Sequence, residues 1–270
     1  MSTTPKVMGV VNVTPDSFSD GGRWCDHGAA IAHGLELVAE GADVIDVGGE
    51  STRPYADPVP VDEELRRVLP VVEALAPQVR VSIDTRKRDG AEAAVAAGAT
   101  IDNDVSASLG EVAASHGIGF VAMHMLGDPR TMQLDPRYDD VVADVRDFLV
   151  ERAEHAAARG CPEVWIDPGI GFGKTLEHNL ALLARLDILV ETGFPVLVAT
   201  SRKRMLGTLL ARSDGLGDEV QVPTDDRLEG SIATATWAMW QGARMVRVHD
   251  VRATVYAARV LAGDMPAKKD

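Results

Sequence analysis

The chain has 270 residues, with 41 Asp and Glu against 27 Lys and Arg and a formal net charge of −14. That balance excludes a binder of nucleic-acid backbone, which needs a basic face, and disfavours an anionic membrane surface; an anionic ligand would have to be met by locally gathered cations. Two cysteines, Cys25 and Cys161, without CxxC or metal-ligand spacing exclude a disulfide scaffold and point to a reducing compartment.

The N-terminal residues Met1 to Lys6 are short and polar, with no signal-peptide pattern, and no apolar run approaches 18 residues. A cytoplasmic, soluble protein is expected. The first apolar run, Val7–Val13, is read as a strand and is followed by a long connection, Thr14–Asp26. Ile31, Leu35 and Val38 then recur at helical spacing. The second strand is expected over Asp43–Gly49 and leads into a second long connection, Ser51–Val61. Leu65, Val68, Leu69, Val72 and Leu75 make the next helical stripe, which Pro70 should kink or split. Val79–Thr85 is the third strand, Ala91–Ala97 a short helix stopped by Gly98, and Ala99–Val105 the fourth strand. Gly119–His124 is the fifth. Val141, Val145, Phe148 and Leu149 mark a long helix ending near Gly160. The sixth strand, Glu163–Gly169, precedes a helix over Glu177–Val190, and Pro195–Ser201 is the seventh strand. A Gly- and Asp-rich segment, Leu210–Asp225, reads as a loose connection before a helix over Arg227–Gln241. Met245–Val251 is the eighth strand and Val251–Ala262 the last helix.

Such alternation implies a parallel sheet. Eight units, no linker and polar residues after nearly every strand favour an α/β fold of the (β/α)8 TIM-barrel type, as one domain over residues 1–270. A doubly wound open sheet is the rival, but it would gather functional residues near one switch point. In a barrel all strands open at their C-terminal ends on one face, where active sites are built. There the sequence places Asn12, Glu50, Asp84, Asn103, His124, Asp167, Ser201 with Lys203, and Arg247 with His249.

Barrels often hold a phosphate with the loops after strands 7 and 8. Ser201-Arg202-Lys203-Arg204 and Arg247-Val248-His249 supply five cationic or potentially cationic side chains there, suited to phosphate oxygens. Plain surface charge is the blander reading, weakened because Arg247 and His249 alternate within an apolar strand. Asp167 to Thr175 resembles a phosphate-cradling loop, but its first required glycine would fall at Pro168, so that reading is rejected. Asp84 and Asp167 end apolar strands, where an unpaired carboxylate is costly; a ligand with adjacent N–H groups would pair them, with Asn103 offering both donor and acceptor. Otherwise they cap the following helices. His124 is read as structural rather than as a ligand or base.

Several segments resemble the signatures of the dihydropteroate synthase family, in family order over about residues 7 to 251. They are Met8-Gly-Val-Val-Asn12-Val-Thr-Pro-Asp16-Ser-Phe18-Ser-Asp20-Gly-Gly22, Asp46-Val-Gly-Gly-Glu50-Ser-Thr52-Arg53-Pro54, Ser82-Ile-Asp84-Thr85, Asn103-Asp104-Val-Ser, Met123-His124-Met125, Asp167-Pro-Gly-Ile-Gly-Phe172-Gly-Lys, Ser201-Arg-Lys203 and Arg247-Val-His249-Asp250.

The resemblance implies a TIM barrel, usually dimeric. It would join (7,8-dihydropterin-6-yl)methyl diphosphate to 4-aminobenzoate with the help of Mg2+, and sulfonamides would compete. By the same resemblance Asn12 would ligate Mg2+ and, with Arg53, Arg247 and His249, hold the diphosphate. Asp84, Asn103, Asp167 and Lys203 would grip the pterin, with Met123 packed near it. Phe18, Thr52, Pro54, Phe172 and Ser201 would shape the 4-aminobenzoate slot. Asp84, Lys203, Arg53 and His249 would carry the chemistry, and Asp20 would help close the site.

Tyr55, Ala107 and Ala199 stand where the family often has Gly, which bears on the stiffness of the second connection and the width of the slot. Two alternatives remain. A pterin-dependent methyltransferase domain would share the pterin grip but have no use for Arg53, Arg247 and His249. A non-catalytic pterin-binding paralogue should have lost Asn12, Arg53, Lys203 or His249.

Overall fold

Strands and helices follow one another along the described residues, in alternation except for two successive helices after the sixth and the seventh strands. The computed structural model describes residues 4–14, 26–52, 56–217 and 219–263. Among these residues, eight parallel strands run β1 Lys6–Asn12, β2 Val44–Gly48, β3 Arg80–Asp84, β4 Ile101–Asp104, β5 Gly119–Met123, β6 Glu163–Asp167, β7 Leu197–Val198 and β8 Met245–Val248. They pair in the order β6-β5-β4-β3-β2-β1-β8-β7. A single parallel bridge, Ile166 to Val196, joins the two ends and closes the TIM barrel. The helices between them are α1 His27–Ala39, α2 Val61–Leu75, α3 Arg88–Ala96, α4 Gly110–His116, α5 Val141–Ala158, α6 Leu176–Ala184, α7 Leu186–Val190, α8 Arg204–Ser213, α9 Leu228–Trp240 and α10 Val251–Gly263. No described helix is long and apolar enough to cross a membrane.

Both faces of such a sheet are covered, so its strands read as apolar runs rather than alternating ones. Met8, Val44, Ile101, Val121, Trp165, Leu197, Ala199 and Met245 fill the barrel interior. Residues one position along, among them Ile45, Ile83, Phe120, Ile166 and Val246, face the helices and form the larger outer core. The Trp165 indole N–H donates to Glu163 Oε1 at 2.8 Å, and Glu163 also pairs with Arg80 across the barrel. The N-terminal end is thereby closed, leaving the C-terminal end for the site.

Helix ends carry recognisable stops. Asp140 caps α5 by accepting from Val142 N and Ala143 N, and Thr175 with His178 forms a capping box on α6. Pro70 neither splits nor ends α2. Pro70 has no N–H to offer the carbonyl of Arg66, and both residues lie on the exposed side of the helix, where such a loss is tolerated. The helix expected over Glu177–Val190 divides at Arg185, whose φ of −114° and ψ of 35° leave helical space. Nothing in the chemistry of an arginine marks that break. The loose connection expected at Leu210–Asp225 begins inside α8. It is pinned back on that helix, by Gln221 Nε2 to Thr208 Oγ1 at 2.6 Å and Val222 N to Gly207 O at 3.3 Å.

Candidate active site

The register of the sheet brings the polar strand ends to one mouth. Asn12 pairs with Gly48, Gly48 with Asp84, and Asp84 with Asn103 across β1, β2, β3 and β4. A Cβ on Gly48 would stand 3.6 Å from Asp84 Oδ2 and 3.7 Å from Asn12 Oδ1, so both groups border the space that this glycine keeps open. Met123 pairs with Asp167 across β5 and β6. From β8, Arg247 reaches over the opening and donates to Asp46 Oδ2 at 2.6 Å and to Asp84 Oδ2 at 2.8 Å. Beyond β7 and β8, Ser201 Oγ lies 3.0 Å from His249 Nδ1 and accepts from His249 N at 3.1 Å. Thr52 lines a recess at the β2 and β3 ends together with Glu50, Glu64, Asp84, Thr85, Arg86, Lys87 and Val105. Phe18, Asp20, Arg53, Pro54 and Tyr55 lie outside the described residues.

Burial sets the charge states. It pushes the Asp84 carboxyl up to about 7; the Arg247 guanidinium opposes the shift and the carboxylate of Asp46 adds to it. Asp167 is likewise raised by burial, against Lys203 and the Gly169 N–H, which donates to Oδ1 at 2.7 Å. Lys203 is pulled down to about 8 by burial, with Asp167 working to keep it charged. Its Nζ donates to Ile170 O at 2.5 Å and lies 4.6 Å from the centre of the Phe172 ring. Asn103 donates to Asp46 Oδ2 at 3.1 Å, while its own Oδ1, with Ser82 Oγ and Asp46 Oδ1, is buried without a partner. Orphaned polar atoms on three adjacent strands mark the barrel interior below the mouth as a place that gains hydrogen bonds when a polar ligand or water enters. Two carboxyl groups, an amide and an ammonium around it match a flat heterocycle with alternating donors and acceptors.

Residues 8–249 match the family of pterin binding enzymes. The dihydropteroate synthase of Escherichia coli strain K12 is 45% identical over 98% of this chain and 94% of its own length. Solved structures agree. The Xanthomonas albilineans dihydropteroate synthase with 4-aminobenzoic acid superposes with a TM-score of 0.86 at 49% identity, covering 96% of this chain and 92% of the other. The same enzyme in complex with 7,8-dihydropteroate gives 0.83 at 46% identity, covering 97% and 94%. The chain belongs to the dihydropteroate synthase family.

Within this dihydropteroate synthase framework some residues behave differently from the sequence reading. Of the five cations expected after β7 and β8, Arg202 is turned away. Its φ is +58°, and its guanidinium holds both oxygens of Asp250, at 3.1 and 2.5 Å. Arg204 is exposed at the start of α8. Lys203, Arg247 and His249 are the ones near the mouth. Ala107, where the family often has Gly, sits at φ +50°, a left-handed conformation that disfavours a Cβ. Ala199 joins the barrel interior.

Asp46 escaped sequence reasoning, and Glu50, expected at the mouth, was given no partners. Asp46 is fully buried and anchors both Asn103 and Arg247. Its signal was an acid in the middle of an apolar strand, on the same face as Gly48. Glu50 accepts from Val59 N at 3.1 Å, from Arg86 at 2.9 Å and from Lys87, and Lys87 also binds Glu64. Burial disfavours the Glu50 charge, yet Lys87, the Val59 N–H and Arg86 outweigh it and hold the carboxyl below its usual range. The network ties the far end of the second connection to the β3 end. His124 is buried, with Nδ1 2.9 Å from Lys174 Nζ. Burial and the nearby Lys174 charge push its imidazole down to about 3, and the ring sits edge-on to Phe148 at 5.0 Å.

Proposed function

We propose that the chain is a working dihydropteroate synthase and that its mouth residues divide the reaction as the family signatures imply. The enzyme is a transferase. It condenses (7,8-dihydropterin-6-yl)methyl diphosphate with 4-aminobenzoate and releases diphosphate and 7,8-dihydropteroate. The observation that carries the reading is the convergence of Asp84, Asn103, Asp167 and Lys203 beside Arg247 and His249 at one end of the barrel.

In this reading Asp84, Asn103, Asp167 and Lys203 hold the pterin ring edge, over Met123. Asn12, Arg53, Arg247 and His249 receive the diphosphate. Thr52, Phe172 and Ser201, with Phe18 and Pro54, bound the 4-aminobenzoate slot. The reaction runs as a dissociative displacement. The C–O bond to diphosphate breaks first, and its electron pair leaves with the diphosphate. The dihydropterin ring spreads the resulting positive charge, which the Asp84 carboxylate stabilises. Arg247 and His249 stabilise the negative charge on the leaving group. The amine of 4-aminobenzoate then attacks the methylene carbon and loses a proton. An aromatic amine is neutral at pH 7, so no strong general base is required. Closure of the first two connections would keep water from the cation.

The donor set suits Mg2+ delivered with the leaving group. Asn12 ends β1 with one amide oxygen, and no group of three or more His, Cys, Asp or Glu among the described residues could hold an ion alone. Asn12 would therefore share the ion with diphosphate and water oxygens. When bound, Mg2+ neutralises charge developing on the departing diphosphate.

We read the chain as one cytoplasmic domain that acts on small molecules, is inhibited by sulfonamides competing with 4-aminobenzoate, and forms a homodimer through residues 226–262. Exposed Leu228, Trp237, Tyr256 and Val260 on α9 and α10 support that choice of face.

A coupled assay tests the function. Diphosphate release that depends on 4-aminobenzoate supports the synthase. Pterin binding without release would indicate a non-catalytic paralogue, and methyl transfer from methyltetrahydrofolate without release a methyltransferase domain. Asn12→Ala should raise the Mg2+ concentration needed for half-maximal rate; an unchanged metal titration removes Asn12 as a ligand.

A further inference from the structure

Lys174 is a buried lysine with no part in the reaction described above; burial pulls its ammonium down to about 7, while the Asp167 carboxylate works to keep it charged. The residue is 3% exposed. Its Nζ donates to Gly169 O at 3.0 Å, Phe172 O at 3.0 Å and His124 O at 3.3 Å, and lies 2.9 Å from His124 Nδ1. An ammonium has no lone pair to offer, so the imidazole nitrogen is the acceptor. A buried ammonium is costly unless paired, and here every hydrogen-bond partner is a neutral oxygen or nitrogen.

Those partners come from the end of β5 and from the loop after β6, residues 168–175. The loop folds inward. Gly169, Gly171 and Gly173 all take left-handed φ values of +62°, +86° and +62°. A Cβ on Gly169 would stand 1.9 Å from His124 O, so the two backbones touch. Five successive carbonyls in this loop are satisfied by side chains. Gly169 O and Phe172 O take Lys174, Ile170 O takes Lys203, Gly171 O takes Gln133 at 2.6 Å, and Gly173 O takes Tyr138 at 2.7 Å. Without the ammonium, carbonyl dipoles converging on one point would repel. The loop also bears site groups: Gly169 N positions the Asp167 carboxyl, and Phe172 lies against Lys203.

We propose that Lys174 is a positioning residue, a tethered cation that gathers the carbonyls of the β6 loop and so sets Asp167, Lys203 and Phe172 at their working separations. This rests on the reading of that mouth as the pterin and 4-aminobenzoate site. The Lys174 side chain then plays the part that a bound monovalent cation plays among converging carbonyls, without an exchangeable ion.

The test compares the full chain with Lys174→Met, which keeps an apolar stem, and Lys174→Ala, which leaves room for a small exogenous cation. Both variants should lose roughly 10- to 100-fold in kcat/KM for the pterin diphosphate, because displacing a reacting geometry by about 1 Å has that effect. The loss should persist at temperatures where circular dichroism shows both fully folded. Methylammonium should recover several-fold of the loss in Lys174→Ala and none in Lys174→Met. Rates and both KM values within twofold of the parent chain overturn the proposal, as does a loss that methylammonium leaves unchanged in Lys174→Ala. If Lys174→Ala is too unstable in sodium buffer for a rate to be read at the assay temperature, its melting midpoint in methylammonium against sodium, taken from low temperature, reads the same site, and equal midpoints overturn the proposal. An inactive parent chain would defeat the synthase reading instead, while methylammonium-dependent melting would still report on the cation site.

Discussion

The two faces of one four-residue strand separate the working part of this molecule from its frame. β4 reads Ile101-Asp102-Asn103-Asp104, and all four residues are buried. Ile101 and Asn103 point into the barrel, the first among the apolar filling and the second bound to Asp46 near the mouth. Asp102 and Asp104 point outward, toward the helices. Asp104 Oδ1 accepts from Ser106 N and Ser106 Oγ, and its Oδ2 from Ser108 N and Leu109 N, all within 2.6–2.8 Å. Both oxygens of Asp102 are buried with no partner. In the mouth a buried carboxyl such as Asp84 has a cation beside it and room for a ligand; on the outer face one acid organises a turn and its neighbour does neither. Burial of an acid therefore does not mark function. What it faces does.

The largest effect should come from the mouth. Asp84→Asn keeps the shape of the side chain and removes its charge. If Asp84 stabilises the pterin cation, kcat should fall by about 10²–10³-fold, the range seen when one electrostatic stabiliser is lost. Lys203→Ala should fall comparably. Melting should move little for Asp84→Asn, because Arg247 retains Asp46. Near-normal steady-state rates in either variant would take that residue out of the mechanism.

Next comes the outer face. Asp104→Ala strands four donors at the start of α4, and a charged acceptor of this kind contributes about 2–4 kcal/mol in all. Denaturant titration should show a loss of that size, with kcat per folded molecule within a few-fold of the parent. A change below about 0.5 kcal/mol would mean that water replaces the carboxylate, and the contrast with Asp102 would lose its force.

The contrast also shows what sequence reading can and cannot reach. The barrel was legible because eight apolar runs alternate with helical stripes, and a closed parallel sheet turns strand ends into neighbours. Asp84, Asn103, Asp167 and Lys203 were legible for the same reason. Asp46 has the same alternation and was missed because it lies mid-strand, where only the cross-barrel reach of Arg247 gives it meaning. Lys174 was weighed as a phosphate-loop lysine and set aside. Its true partners are carbonyls whose inward turn depends on backbone dihedrals, and three glycines only hint at them. Among Arg202, Lys203 and Arg204, composition cannot say which turns inward; the left-handed φ at Arg202 and its pairing with Asp250 decide it. The second long connection is tied down by a Glu50–Lys87–Glu64 network assembled from three separate segments, which spacing along the chain does not reveal.

The smallest effect, and the one of opposite sign, belongs to Asp102. It is 0% exposed, with Ile83 and Phe120 as its register neighbours on β3 and β5. Burial raises its carboxyl well above the usual range, and the charges of Asp104, Asp84 and Asp46 raise it further. A group whose folded pKa is raised binds a proton that the unfolded chain has already released. Its contribution is therefore fully present below an unfolded pKa near 4 and lost as pH climbs toward the folded value, by about 1.4 kcal/mol per unit. Asp102→Asn removes the titration while keeping the shape. Near pH 4 it should match the parent or fall slightly below it. By pH 7 it should be the more stable of the two, with the higher melting midpoint. Activity should be unchanged, because the residue faces away from the mouth. A stability difference that stays flat between pH 4 and pH 8 would mean that the folded protein holds Asp102 ionised, and would place a donor beside it.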